Sequence, residues 1–145
     1  MKSTFRLGLA LVIGLALVGS ALAQSNMPDK APEKPTGKKR TAADHKEFYS
    51  AVRTTEFSNP TEGWEGFSTY WPDGYVISTV KLKDGTLIHN LGTYRVVGDQ
   101  HCEKSRLPPD RPESCGDGYQ LGENMYEFWR ADGKFSAFWW YRTSK

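Results

Sequence analysis

GTYRVVGDQHCEKSRLPPDRPESCGDGY, residues 92–119, is the stretch whose reading decides the fold. Thr93, Arg95 and Val97 alternate with Tyr94 and Val96, the two-residue period of a strand with a face on each side. Gly98-Asp99 supplies turn chemistry, and Gln100–Lys104 resumes an extended run. Pro108, Pro109 and Pro112 cannot donate ladder hydrogen bonds, so they mark a loop between Cys102 and Cys115. The chain has only these two cysteines. In an exported protein they are expected to form a disulfide, and closing a loop of this size is worth roughly 3 kcal/mol. A metal site would need two more ligands, and only His101 is adjacent; a redox pair usually has CxxC spacing. The stretch reads as a strand, a disulfide-closed loop and a returning strand.

Upstream, Met1 to Ala23 has the three parts of a secretory signal peptide. Lys2 and Arg6 form a positive n-region, Leu7 to Val18 an apolar run, and Ala21-Leu22-Ala23 a cleavage site, so Gln24 is expected to begin the mature chain. The apolar run is shorter than the roughly 20 residues a spanning helix needs, and no stable membrane anchor is expected after cleavage. The expected location is the periplasm or the exterior. Of 19 basic and 17 acidic residues, removing Lys2 and Arg6 leaves 17 and 17, so the composition gives no argument for nucleic acid as a partner.

Residues 24–40 carry five basic and two acidic residues, three prolines and almost no apolar surface. They read as a disordered basic linker. Adhesion of Lys38-Lys39-Arg40 to an anionic surface is the functional alternative. The domain is expected over 41–145. Thr41-Ala42-Ala43-Asp44 resembles a capping box, and Phe48, Ala51 and Val52 follow at helical spacing. One short helix over about 42–53 is expected, laid as a lid on a sheet, with His45 on its polar side in solvent.

From Phe57 onward the chemistry is β. Asp73-Gly74, Asp84-Gly85 and Asp132-Gly133 each sit between alternating runs, the strongest short-range hairpin signal. The runs are Phe67–Trp71, Tyr75–Leu82, Thr86–Asn90, Gly118–Leu121, Tyr126–Arg130 and Phe135–Arg142, beside those of the 92–119 stretch. About eight short strands joined this way predict a mainly β fold. It is an antiparallel meander curled into a small barrel or a strongly twisted sheet, with the helix packed on it.

From Ala42 to Tyr141 the chain resembles a family of small secreted proteobacterial proteins of unassigned function. The residues that carry the resemblance are Gly66-Phe67, Trp71 to Gly74, Gly92-Thr93-Tyr94, the pair Cys102 and Cys115, and Trp129 to Lys134. The resemblance implies an exported, disulfide-containing β-meander after a short helix, and no catalytic residue. Gly92-Thr93-Tyr94 followed by a cysteine is also similar to the Gly-x-Trp signature of lipocalin-like barrels and of barrel inhibitors of secreted metalloproteases, with Tyr94 in place of tryptophan.

Enzyme templates are absent: there is no G-x-S-x-G, H-E-x-x-H, P-loop or dinucleotide fingerprint. No catalytic residue, metal site or cofactor is expected. His89 and His101 fall on neighbouring strands and, with Glu103, make one candidate acid–base or metal cluster. The aromatic content is the stronger signal. All five tryptophans lie within the domain, and Phe135–Tyr141 is aromatic on both faces. Phe135, Trp139 and Tyr141 share one face; Phe138 and Trp140 share the other. A half-buried strand should be polar outside. The second face is therefore either covered by the helix or is a binding surface. Trp140, beside Ser136 and Arg142, is the expected ligand-binding residue, with Trp71 and Trp129, and Trp139 the core residue. The leading expectation is a non-enzymatic binding module for a small apolar or sugar ligand or a protein partner. The alternatives are a protease inhibitor acting through the 104–114 loop and an enzyme centred on His89, His101 and Glu103.

Overall fold

The computed structural model describes residues 27–106 and 110–141. The signal peptide, Gln24 and the prolines at 108 and 109 lie outside them. The elements are β1 (Lys38–Lys39), α1 (Ala42–Phe48), β2 (Arg53–Asn59), β3 (Trp64–Tyr70), β4 (Tyr75–Lys81), β5 (Leu87–Val97), β6 (Gln100–Ser105), β7 (Ser114–Gln120), β8 (Met125–Arg130) and β9 (Phe135–Tyr141). Strands β2 to β9 pair antiparallel in chain order, and β9 returns to pair with β2. The result is a closed eight-stranded up-and-down barrel, which leaves no long free edge.

The turns follow the sequence. Gly74, Gly85 and Gly133 take φ of 90°, 87° and 79°, the left-handed region that glycine enters at no steric cost. Each closes one of the Asp-Gly hairpins. Cys102 and Cys115 face each other directly across β6 and β7, with their Cα atoms 4.0 Å apart, and are bridged. The bridge therefore staples two paired strands, and the proline-containing loop leaves from that stapled pair.

The helix is shorter than the spacing predicts. Its capping box forms, with Thr41 N donating to Asp44 Oδ2 at 2.7 Å and Asp44 N donating to Thr41 Oγ1 at 3.3 Å. It ends at Phe48, where Ser50 Oγ donates to the Glu47 carbonyl and Arg53 Nε to that of Phe48. These bonds satisfy carbonyls that further helix would have used. Val52 is consequently exposed, and Arg53–Asn59 becomes the first barrel strand. The buried stripe is Phe48 and Tyr49, which fill one end of the barrel against Tyr70, Val76, Tyr94 and Tyr126.

His45 is not solvated: it is 3% exposed. It packs beside Arg40 over Gly118, where a Cβ would meet Arg40 Cδ at 3.3 Å and His45 Cε1 at 3.5 Å. The Arg40 guanidinium lies 4.4 Å from the ring centre of Tyr126 and 5.1 Å from that of Phe48. It also donates to the Asp44 carbonyl.

The linker expected over 24–40 is built into the fold from Met27 on. Lys38 and Lys39 pair with Gln120 and Tyr119 of β7, and Arg40 N donates to the Gly118 carbonyl. Thr36 donates through both its backbone N–H and its hydroxyl to Glu127, a carboxylate 1% exposed on the outer face of β8. Ser58 Oγ reaches Met27 Sδ at 3.1 Å. Composition misses this because a few specific bonds to one buried carboxylate substitute for apolar area. The basic cluster is likewise committed within the fold: Arg40 is buried, and Lys39 pairs with Asp117 at 3.2 Å. Among the described residues no helix is long and apolar enough to cross a membrane.

Candidate functional site

Alternation along the strands sends one set of side chains into the barrel. The helix fills the end marked by Tyr94, Tyr126 and Tyr141; the other end opens to solvent through a cavity of about 450 Å³. Phe57, Ser68, Ser78, Asn90, Phe128 and Trp139 form its wall. Two features make the space. Ser68 and Ser78, small and facing each other, bond hydroxyl to hydroxyl at 2.7 Å. Gly66 leaves room for the Phe57 ring, which an added Cβ would meet at 2.7 Å.

Polar groups gather where the cavity meets the helix-filled end. The Tyr70 hydroxyl donates to Glu103 Oε1 at 2.8 Å, and His101 Nε2 stands 3.4 Å from the same oxygen. The other ring nitrogen, Nδ1, is 2.9 Å from the Tyr49 hydroxyl, so Tyr49, His101, Glu103 and Tyr70 form one polar cluster. Burial pushes the Glu103 carboxyl up, but the His101 and Tyr70 contacts and the Arg111 charge outweigh it and hold the group below its ordinary range. Glu103 is therefore ionised at neutral pH. Burial pushes the Tyr49 and Tyr70 hydroxyls well above their usual range, so both stay protonated.

The mouth carries opposite charges. Arg130 and Glu62 pair at 3.5 Å, and Glu62 also accepts from the Trp64 indole N–H at 2.7 Å. Arg111, next to Pro112, is exposed at the rim.

Sequence reasoning brings His101 and Glu103 together correctly, since both point inward from β6. His89 edges the rim, but its ring turns outward to Thr79 Oγ1, 3.0 Å away. The three-residue cluster is thus a two-residue one. Trp140, Trp71 and Trp129 are not brought together. Trp140 lies on the outer face of β9 opposite Glu56 of β2. Trp71 sits in the β3–β4 turn, where its carbonyl accepts from the Tyr94 hydroxyl. Trp129 is 6% exposed on the outer face of β8, its indole N–H bonded to Glu127. Trp139 is the tryptophan of β9 that lines the cavity, stacked on Phe128 with ring centres 5.0 Å apart.

A bulge between Phe128 and Trp129 explains part of this. It turns Phe135 onto the outer side, where its ring meets Trp129 and Phe138, instead of onto the face of Trp139. The second aromatic face of β9 is then buried core, with Phe138 2% exposed beside the segment that holds Thr36, not beneath the helix. The alternation of Cys102 with its neighbours carries the one signal that could have found the cavity base. If the bridged cysteine faces outward, His101 and Glu103 face inward.

No protein-family model, no curated protein and no solved structure matches the chain.

Proposed function

We propose that the protein is an exported binding module that holds one small molecule inside its barrel. The observation that carries this reading is the cavity itself, about 450 Å³ of space between aromatic walls and a polar base. Small-ligand sites combine a mostly apolar concave wall with a few placed polar groups, and the mouths of β-barrels are a recurrent place for them. The disulfide, buried at Cys102, fits an extracellular or periplasmic protein, which supports the exported location. A sugar or an apolar molecule would have to enter past Trp64 and Arg130 and lie against Trp139 and Phe128.

An enzyme is the second reading, favoured by the contact between His101 and Glu103. Among the described residues the imidazole nitrogens face Tyr49 and Glu103, so a proton would pass between His101 and a substrate by way of Glu103.

Native mass spectrometry of protein recovered from its own host tests the binding reading. The expected result is a small-molecule adduct on the wild type that is lost in Val80→Trp, which places a large ring inside the cavity without removing a polar contact. Equal masses for wild type and variant, both free of adduct, would count against it.

A further inference from the structure

We propose that the ligand class is an organic amine, bound as its ammonium ion to Glu103 with its apolar body against Trp139 and Phe128. This inference deepens the binding reading and rests on it. Among the described residues, both contacts to the Glu103 carboxylate fall on Oε1, from Tyr70 at 2.8 Å and His101 at 3.4 Å. Oε2 is left as an acceptor on a side chain that lines the cavity and keeps 33% exposure there.

A molecule that fills the cavity expels water from that oxygen. If it brings no donor, an ionised carboxylate is left desolvated, and the cost falls on the ligand's affinity. A neutral hydroxyl would restore one hydrogen bond; an ammonium restores a charge-assisted one, roughly twice as strong. A carboxylate ligand would meet repulsion from Glu103 instead.

The rest of the cavity agrees with this choice. Among the described residues no lysine lines it, and the two arginines that do are at the mouth. Arg130 is engaged by Glu62, and Arg111, exposed at the rim, acts on Glu103 through its charge alone. Neither is hydrogen-bonded to Glu103, whose hydrogen-bond donor is Tyr70. The rings of Tyr70 and Trp139, stacked with centres 5.8 Å apart, and of Phe128 surround the carboxylate end of the cavity. Aromatic faces attract a cation, most strongly where water is excluded.

The test is calorimetric titration of the full mature protein at neutral pH with three probes of matched size: phenethylamine, phenethyl alcohol and hydrocinnamate. The wild type is expected to bind the amine at least tenfold more tightly than either of the others. Glu103→Gln is expected to weaken the amine tenfold or more and to leave the alcohol within about twofold, since one charged hydrogen bond is lost. Tighter or equal binding of the alcohol or of hydrocinnamate by the wild type overturns the amine class while leaving the binding reading in place. An amine preference that survives Glu103→Gln overturns the role of Glu103. Binding of none of the three overturns both readings. The wild-type comparison decides the ligand class even if the variant fails to fold.

Discussion

The Tyr70 hydroxyl donates to Glu103 Oε1 at 2.8 Å, joining the last residue of β3 to the inward face of β6 across the barrel interior. β3 and β6 are not neighbours in the sheet, so the bond ties opposite walls at the level where the packed end gives way to the cavity. Tyr70→Phe keeps the ring and removes the donor. The loss should be about 1–3 kcal/mol, with the Glu103 carboxyl moving up toward its ordinary range. Because that carboxyl is held low in the fold, its contribution is full above the ordinary carboxylate range and disappears as pH falls through the folded value. NMR titration of the Glu103 carboxyl checks the shift, and urea unfolding at neutral and acidic pH checks the stability. An unchanged titration in Tyr70→Phe would refute the tie.

His45 gives the fold a second pH dependence. Burial first, then the charges of Arg40 and His101, drive its imidazole down to about 4. An unfolded histidine titrates near 6.5, so the folded state binds the proton less well. Stability is therefore complete above about 6.5 and falls as pH drops toward 4, by at most roughly 3 kcal/mol. His45→Phe should flatten that part of the profile. Unfolding curves of the two proteins between neutral pH and 4 make the comparison, and parallel profiles would show that His45 charges without cost.

The segment before the helix should be structural. A chain starting at Thr41 loses both Thr36 donors to the buried Glu127 carboxylate and the Arg40 guanidinium between Phe48 and Tyr126. A hydrogen bond to a charged group is worth about 1.5–3 kcal/mol, and two of them are lost together with the packing of Arg40. The truncated protein should melt on the order of 10 °C or more below the mature one. Thr36→Ala should account for about 1–3 kcal/mol of the loss. Equal melting temperatures would mean that residues 27–40 add nothing.

The bridge between Cys102 and Cys115 should leave no thiol to alkylate in the folded protein. Cys102→Ser is expected to lower stability by about 2–5 kcal/mol. Mass spectrometry after alkylation and a denaturant titration test both statements; two modified cysteines in native protein would contradict them.

The hairpins were legible because their signals are local. Asp73-Gly74, Asp84-Gly85 and Asp132-Gly133 each turn where glycine alone accepts the backbone, and alternation on either side sets the strands. What was hidden depends on contacts distant in sequence. The helical spacing reads on to about residue 53 until Arg53 caps Phe48, and Arg53–Asn59 becomes a strand once β3 and β9 supply partners. His45 reads as polar surface until Gly118 makes room for it. The bulge at Phe128/Trp129 separates Phe135 from Trp139, and no alternation rule applied to β9 alone reveals it. Half of the cavity base was visible, as His101 and Glu103, because two residues apart on one strand share a face.

The tryptophan indole N–H signals offer the most direct test of the central claim, that the barrel interior is the binding site. Trp139 and Trp64 line the cavity, whereas Trp129 and Trp140 lie on the outer face. Two-dimensional NMR of the mature protein titrated with phenethylamine should shift the signals of Trp139 and Trp64 and leave those of Trp129 and Trp140 in place. Trp139→Phe, which keeps an aromatic wall, would assign the principal signal. Shifts confined to Trp140 and Trp71 would move binding to the outer surface and contradict the account.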